Sequence, residues 1–157
     1  MTANSSAPAP SVSVAIPPSW RRRHDPQLAE HGVVLAARAP ALPASGLRPE
    51  LLLRVGRTDH DDVEAWRTDA LGDLADLLVD LAVEDDDVFD LGEHEVVYHR
   101  FAHRVGTVDV LCDQWSWLVD GCGTTLTCSA AREDYPAWCD LFETVAATVE
   151  PAGLIEA

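Results

Sequence analysis

The sequence predicts an α+β domain in which an antiparallel sheet of about six to seven strands is flanked by helices on both faces, an α/β/α sandwich. Three observations predict it. The turn Asp120–Gly123 joins two β-rich runs, Thr107–Val119 and Thr124–Ala131, and the Asp-Gly pair that opens it is a strong hairpin signal. Tyr135–Val149 follows with one apolar helical stripe. Glu50–Gly56 is almost continuously apolar, as in strands buried on both faces.

The N-terminal third is predicted to begin with a tail and two strands. Residues 1–10 are rich in Ser, Ala and Pro and predict a disordered tail. Ser11–Ile16 alternates apolar and polar residues and predicts a short strand, which Pro17 and Pro18 end. His31–Arg38 predicts a second strand. One domain is expected over residues 11–151, followed by a C-terminal tail at 152–157.

A long helix is predicted to begin near Asp61 and to reach Glu84. Its apolar stripe comprises Val63, Trp66, Ala70, Leu74, Leu77, Leu78 and Leu81. Its opposite side carries Asp69, Asp73, Asp76, Asp80 and Glu84. Like charges at this spacing destabilise an isolated helix, so packing must hold it and the acidic face must be wet. That face is either merely solvated or docks a basic partner.

The next segments predict further strands. Val88–Leu91 begins one, Gly92 is read as a bulge, and Glu95–Arg104 continues it. Pro151 is predicted to end regular structure after the last helix.

Charge and composition exclude several function classes. The chain has 157 residues and a net charge of −16, which argues against nucleic acid and against anionic membrane surfaces. No signal peptide and no apolar run of roughly 20 residues is visible, so no membrane insertion and a cytoplasmic location are expected. All 11 basic residues are Arg, a composition that suggests a GC-rich, actinobacterial genome.

No catalytic or cofactor constellation is present, so we predict that the chain is not an enzyme and needs no cofactor or metal. The four cysteines include no CxxC pair, and hairpin parity places Cys112 and Cys128 on opposite faces, which favours reduced thiols. His99 and His103 share one strand face, so a metal site completed by other strands is a minor alternative.

Three groups are candidate partner-binding residues. Trp115 and Trp117 point to the same side of one strand and form either core beneath a helix or a ligand platform. Arg21, Arg22 and Arg23 form a basic run that is read as a solvated loop or an acidic-ligand site. The third group is the acidic helix face that carries Asp69, Asp73, Asp76 and Asp80.

Several stretches resemble the PsbP-like family, which also contains Mog-type Ran-binding proteins, LpqN-type lipoproteins and the Eag chaperones of type VI secretion. These stretches are Ala15–Trp20, Arg48–Val55, Val119–Gly121, Thr124–Cys128, and Tyr135–Phe142 with Val145. The resemblance spans residues 11–151. Glu50 stands where the family usually has Asn. No catalytic motif defines the family, so none carries over.

The resemblance implies a non-enzymatic protein-interaction module, an adaptor or a secretion-linked chaperone. Its expected partner is a protein that is basic or presents an apolar segment. Because no lipobox is visible, the cytoplasmic Eag-type chaperones fit better than the exported LpqN-type lipoproteins. The alternative is a small-molecule or lipid-binding domain with an apolar pocket near the tryptophans.

Overall fold

A seven-stranded antiparallel sheet with a long helix on each face organises the chain in a computed structural model, which describes residues 11–153. The elements in chain order are β1 (Ser11–Ser13), β2 (Arg21–Arg22), α1 (Pro26–Glu30), β3 (Val33–Arg38), β4 (Glu50–Arg57), α2 (Val63–Leu77), β5 (Val79–Leu91), β6 (His94–Val105), β7 (Val108–Val119), β8 (Cys122–Ala131), α3 (Tyr135–Ala147) and β9 (Glu150–Gly153). The sheet order is β2-β3-β4-β8-β7-β6-β5. This architecture confirms the predicted fold class.

The hairpin at 120–121 is a two-residue turn. Val119 pairs with Cys122, and Asp120 and Gly121 both have positive φ, 52° and 75°. Positive φ at both central residues matches the right-handed twist of the flanking strands, which is why Asp-Gly suits this position. β8 therefore begins at Cys122, two residues earlier than the sequence predicts.

The two faces of the sheet carry different cores. The larger core lies under α3, where the buried Phe142 and Val145 belong to one cluster with Trp115 and Trp117. A smaller cluster of Phe101, Val110 and Cys112 packs with half-buried leucines, among them Leu74 and Leu78 at the end of α2. The α3 face therefore carries the main apolar core, whereas the face under α2 carries a smaller one.

The predicted helix through Glu84 is wrong, because α2 ends at Leu77 and the following residues form β5. Asp80 takes a left-handed φ of 56°, and β5 then pairs with β6 as far as the Leu91–His94 pair. The thirteen residues of β5 gain a hydrogen-bonded partner there, which outweighs the helical spacing of the leucines. Gly92 lies in the turn of this hairpin and is not a bulge.

Both ends of the domain differ from the prediction. Ser11–Ser13 alone forms β1, and it pairs with β9 in a separate two-stranded sheet. Regular structure therefore does not end at Pro151, since β9 reaches Gly153. The predicted tail at 1–10 and residues 154–157 of the other tail lie outside the described residues.

The segment that follows β1 also contains structure that the sequence did not predict. Arg21 and Arg22 form an edge strand on β3 and not a loop. The short helix α1 follows, with the Asp25 side chain accepting a hydrogen bond from the Gln27 backbone N–H at 3.0 Å.

Candidate functional site

The two tryptophans of β7 lie in the core under α3. Trp115 is 3% exposed and Trp117 is 1% exposed. Their cross-strand partners are Leu126 and Thr124, in agreement with the predicted parity of the hairpin. Trp117 therefore belongs to the core and not to a docking surface. The Trp115 side chain reaches the floor of a surface groove.

This groove, called here the α3 groove, runs between α3 and the outer strands β5 and β6. Its volume is about 560 Å³. Its lining residues are Asp85, Asp87, Phe89, Leu91, Tyr98, Arg100, Trp115, Tyr135, Cys139, Glu143 and Ala146. On the groove side of β5, Phe89 and Leu91 are half-buried and Asp85 and Asp87 are exposed.

One wall of the α3 groove is braced by a buried carboxyl group. Asp113 is 1% exposed, and it accepts hydrogen bonds from the Tyr98 hydroxyl at 2.5 Å and from the Tyr135 hydroxyl at 2.8 and 2.9 Å. Burial raises the pKa of Asp113, and burial together with this acceptor raises the pKa of Tyr135 to about 12. The three groups satisfy one another, so they position the groove wall and present no free nucleophile or base.

The predicted acidic face is split by the end of α2. Asp69, Asp73 and Asp76 are exposed along α2, whereas Asp80 lies in β5. His60 Nε2 lies 2.7 Å from Asp69 Oδ2, so Asp69 already has a partner in its own chain. The four aspartates therefore do not form one continuous ridge.

The arginine run is also divided. Arg21 and Arg22 are exposed on the edge strand β2. Arg23 Nη1 lies 2.5 Å from Glu50 Oε2 on β4, which occupies its guanidinium. The structure does not bring these arginines together with the tryptophans or the aspartates.

A second groove follows α2 on the opposite face of the sheet, and the sequence reasoning missed it. Its defining residue is Arg67, which is 5% exposed and donates from Nη2 to Gln114 Oε1 at 2.6 Å. The available signal was the position of Arg67 four residues after Val63, inside the predicted buried stripe. A charged residue at a buried position is more informative than the leucines around it.

The thiols and histidines offer no metal centre within residues 11–153, where no group of three or more His, Cys, Asp or Glu residues is placed to hold an ion. All four cysteines are free. Burial raises the pKa of Cys112 to about 12 and that of Cys128 well above its ordinary value. Thiols in such surroundings are structural and unreactive.

No family model matches this sequence, and no curated protein sequence is significantly similar to it. Solved structures do share its architecture. LpqN of Mycobacterium tuberculosis, described as involved in cell envelope biogenesis, superposes with a TM-score of 0.71 at 12% identity, over 92% of this chain and 84% of that one. The PsbP protein of the cyanobacterium Synechocystis superposes with a TM-score of 0.62 at 14% identity, over 96% of this chain and 98% of that one.

The chain has the PsbP-like fold. A Pseudomonas aeruginosa protein of unknown function, PA94, also shares it, with a TM-score of 0.66 at 13% identity, over 89% of this chain and 96% of that one. Identities this low establish the PsbP-like fold alone, since one fold hosts unrelated functions. The descriptions of these three proteins name no enzymatic activity. No helix within residues 11–153 is long and apolar enough to cross a membrane.

Proposed function

We propose that this chain is a non-catalytic protein-interaction domain that holds an apolar, positively flanked segment of a partner protein in the α3 groove. The observation that carries the proposal is an apolar floor between two acidic walls. The half-buried Phe89 contributes to the floor. Asp85 and Asp87 line the β5 side and Glu143 lines the α3 side, and Arg100 is the one cationic residue among the lining residues.

The chemistry of the groove defines the partner. Apolar side chains gain about 25 cal/mol for each Å² that they remove from water against such a floor. The carboxylates on both walls favour Lys or Arg beside the apolar residues. A net charge of −16 would also speed the approach of a basic segment.

An adaptor or secretion-linked chaperone is the form of this function that the resemblance to the Eag chaperones implies. The absence of any enzymatic activity from the descriptions of the three structural neighbours is compatible with it. An open groove suits a chaperone because a bound segment has to be released again.

Fluorescence anisotropy with labelled peptides tests the proposal. A short Leu/Val-rich peptide with Lys residues at both ends is compared with the same peptide carrying Glu at both ends. The Lys-flanked peptide should bind and the Glu-flanked peptide should not, and added salt should weaken the binding because the rim charges are exposed.

Two adjacent residues of β5 provide the matched variants. Phe89 lines the groove, whereas Val88 points to the other side of the strand and is 39% exposed. Phe89→Ser should weaken binding of the Lys-flanked peptide at least about tenfold, because an aromatic anchor is lost. Val88→Ser should leave the affinity for this peptide unchanged. Equal effects of the two substitutions would refute the α3 groove as the site.

Small-molecule binding in the same groove is the second candidate function. The volume of about 560 Å³ falls in the range of ligand pockets, roughly 300–1,000 Å³. Nile red, a neutral apolar dye, probes it: binding that Phe89→Ser abolishes, with no binding of either peptide, would favour this candidate over the protein partner.

A further inference from the structure

Arg67 is a buried cation without a carboxylate. Within residues 11–153, no Asp or Glu forms an ion pair with it. Its Nη2 donates to Gln114 Oε1 at 2.6 Å and its Nη1 to Thr125 Oγ1 at 3.5 Å, while its Nε has no hydrogen-bond partner. Burial lowers the pKa of Arg67 to about 10, so the group still carries its charge at neutral pH. The guanidinium carbon lies 4.7 Å from the centre of the Trp66 ring, but no carboxylate neutralises the charge, and a buried charge without a counter-ion is costly.

The space beside Arg67 is cationic. A cavity of about 380 Å³ is lined by Arg67, and its other ionisable lining residues are Arg54, Arg57, His31 and one carboxylate, Asp73. The chain as a whole has a net charge of −16, but this cavity is lined by more arginines than carboxylates. Its field favours an anion.

The same groove continues into an apolar slot of about 310 Å³ at the end of α2. The two cavities share Arg54, Leu74, Gln114 and Thr125 as lining residues. The slot adds apolar side chains, among them Leu78, Phe101, Val110 and Cys112. Its carboxylate, Glu50, is already paired with Arg23 at 2.5 Å.

We propose that this groove, the α2 groove, binds a monocarboxylic acid with an unbranched apolar tail. The carboxylate pairs with Arg67 and Arg54, and the tail fills the slot between Leu78 and Phe101. A monoanion matches the single buried charge of Arg67, whereas a dianionic phosphate brings a larger desolvation penalty into the same space. The planar guanidinium of Arg67, which lines the cavity, suits a planar carboxylate.

The α2 groove lies on the opposite face of the sheet from the α3 groove. The two sites share none of their lining residues. The carboxylate site is therefore independent of the proposed protein-interaction function, and the failure of one leaves the other standing.

Isothermal titration calorimetry on the full, delipidated chain tests the proposal with dodecanoate, dodecanol and dodecyl phosphate. Dodecanoate should bind and raise the melting temperature, and dodecanol, which lacks the charge, should bind at least about 30-fold more weakly. Equal affinity for dodecanol and dodecanoate overturns the proposal. Tighter binding of dodecyl phosphate than of dodecanoate overturns the assignment to carboxylates.

Arg67→Met removes the charge and keeps the length of the side chain. This variant should bind dodecanoate at least about 30-fold more weakly than the wild type. Its melting temperature without ligand should equal or exceed that of the wild type, because a buried charge without a counter-ion has been removed. Arg48→Met, at an exposed arginine that lines neither cavity, is the matched control and should bind as the wild type does. Retained dodecanoate binding in Arg67→Met overturns the proposal.

Leu78→Trp keeps the proposal testable if Arg67→Met does not fold. The indole would fill the apolar slot and leave the arginines in place. Dodecanoate binding should then weaken at least about tenfold while the weak binding of acetate persists, because steric exclusion affects only the tail. Unchanged dodecanoate binding in this variant overturns the placement of the tail.

Discussion

The Tyr98 hydroxyl donates a hydrogen bond of 2.5 Å to Asp113 Oδ1, and this contact joins β6 to a buried carboxyl group on β7. The same carboxyl group accepts a hydrogen bond from Tyr135 on α3. Asp113 thus lies where the sheet, the last helix and the α3 groove meet. Because burial raises its pKa despite the two tyrosines, its protonation is linked to folding.

Asp113→Asn should change how stability depends on pH. A carboxyl group whose pKa is raised in the folded state adds stability below its ordinary pKa of 3.8, and that stability is lost as the pH rises through the raised value. The free energy of unfolding of the wild type should therefore fall relative to that of Asp113→Asn as the pH rises from the ordinary pKa of 3.8 through the raised value. Urea denaturation of both proteins across this range measures the difference, and a difference that stays constant or grows contradicts the linkage.

A side chain at Gly123 should destabilise the fold, whereas a side chain at its cross-strand partner Gly56 should be tolerated. A Cβ at Gly123 would lie 2.4 Å from two ring carbons of Trp66, while one at Gly56 would meet nothing within 4 Å. Gly123→Ala should lower the free energy of unfolding by about 1–3 kcal/mol, because the indole has to move off the sheet. Gly56→Ala should be neutral or stabilise by up to about 1 kcal/mol.

The two alanine variants can be compared by urea denaturation under identical conditions. Similar free energies of unfolding for Gly123→Ala and Gly56→Ala would show that Trp66 does not pack on the β8 backbone.

Trp117→Ala should be among the most destabilising substitutions in the chain. Its side chain is 1% exposed in the main core, and truncating a buried aromatic residue costs about 3–5 kcal/mol. Leu77→Ala is the control, since Leu77 is 77% exposed at the end of α2 and should change stability by no more than about 0.5 kcal/mol. Thermal denaturation distinguishes the two variants. A large loss of stability in Leu77→Ala would mean that Leu77 is buried, as the sequence predicts.

Asp80 should tolerate glycine better than a branched side chain. Its φ of 56° lies in the left-handed region, which costs most residues about 1–2 kcal/mol. Asp80→Gly should therefore keep or raise the free energy of unfolding, and Asp80→Val should lower it by about 1–2 kcal/mol. The reverse order in urea denaturation would mean that α2 continues through this position.

Short-range signals predicted much of the fold. The Asp120-Gly121 turn, the parity of the strands that it joins and the stripe of α3 all depend on neighbours within a few residues or directly across a tight turn. Local conformational preference determines such features. The order of the elements, read from the sequence, supported the resemblance to the PsbP-like family, and the solved structures that share this fold agree with that resemblance.

The end of α2 was beyond the reach of sequence reasoning. Leu77, Leu78 and Leu81 fit a helical stripe as well as they fit a strand, and only the pairing of β5 with β6 decides between the two. The same pairing removed Asp80 from the predicted acidic face. The stability of a strand depends on the strand that it pairs with, and the residues around Leu77 do not by themselves identify that partner.

The candidate sites, too, were determined partly by the sequence and partly by the tertiary structure. From the sequence alone, the hairpin determined that Trp115 and Trp117 share one face, but whether that face is open or covered depended on where α3 packs. Only the tertiary structure placed Trp117 in the core and Trp115 at the floor of a groove. Only the tertiary structure buried Arg67 beside Gln114 without a carboxylate, because burial is set by residues that are distant in the chain and brought together by packing.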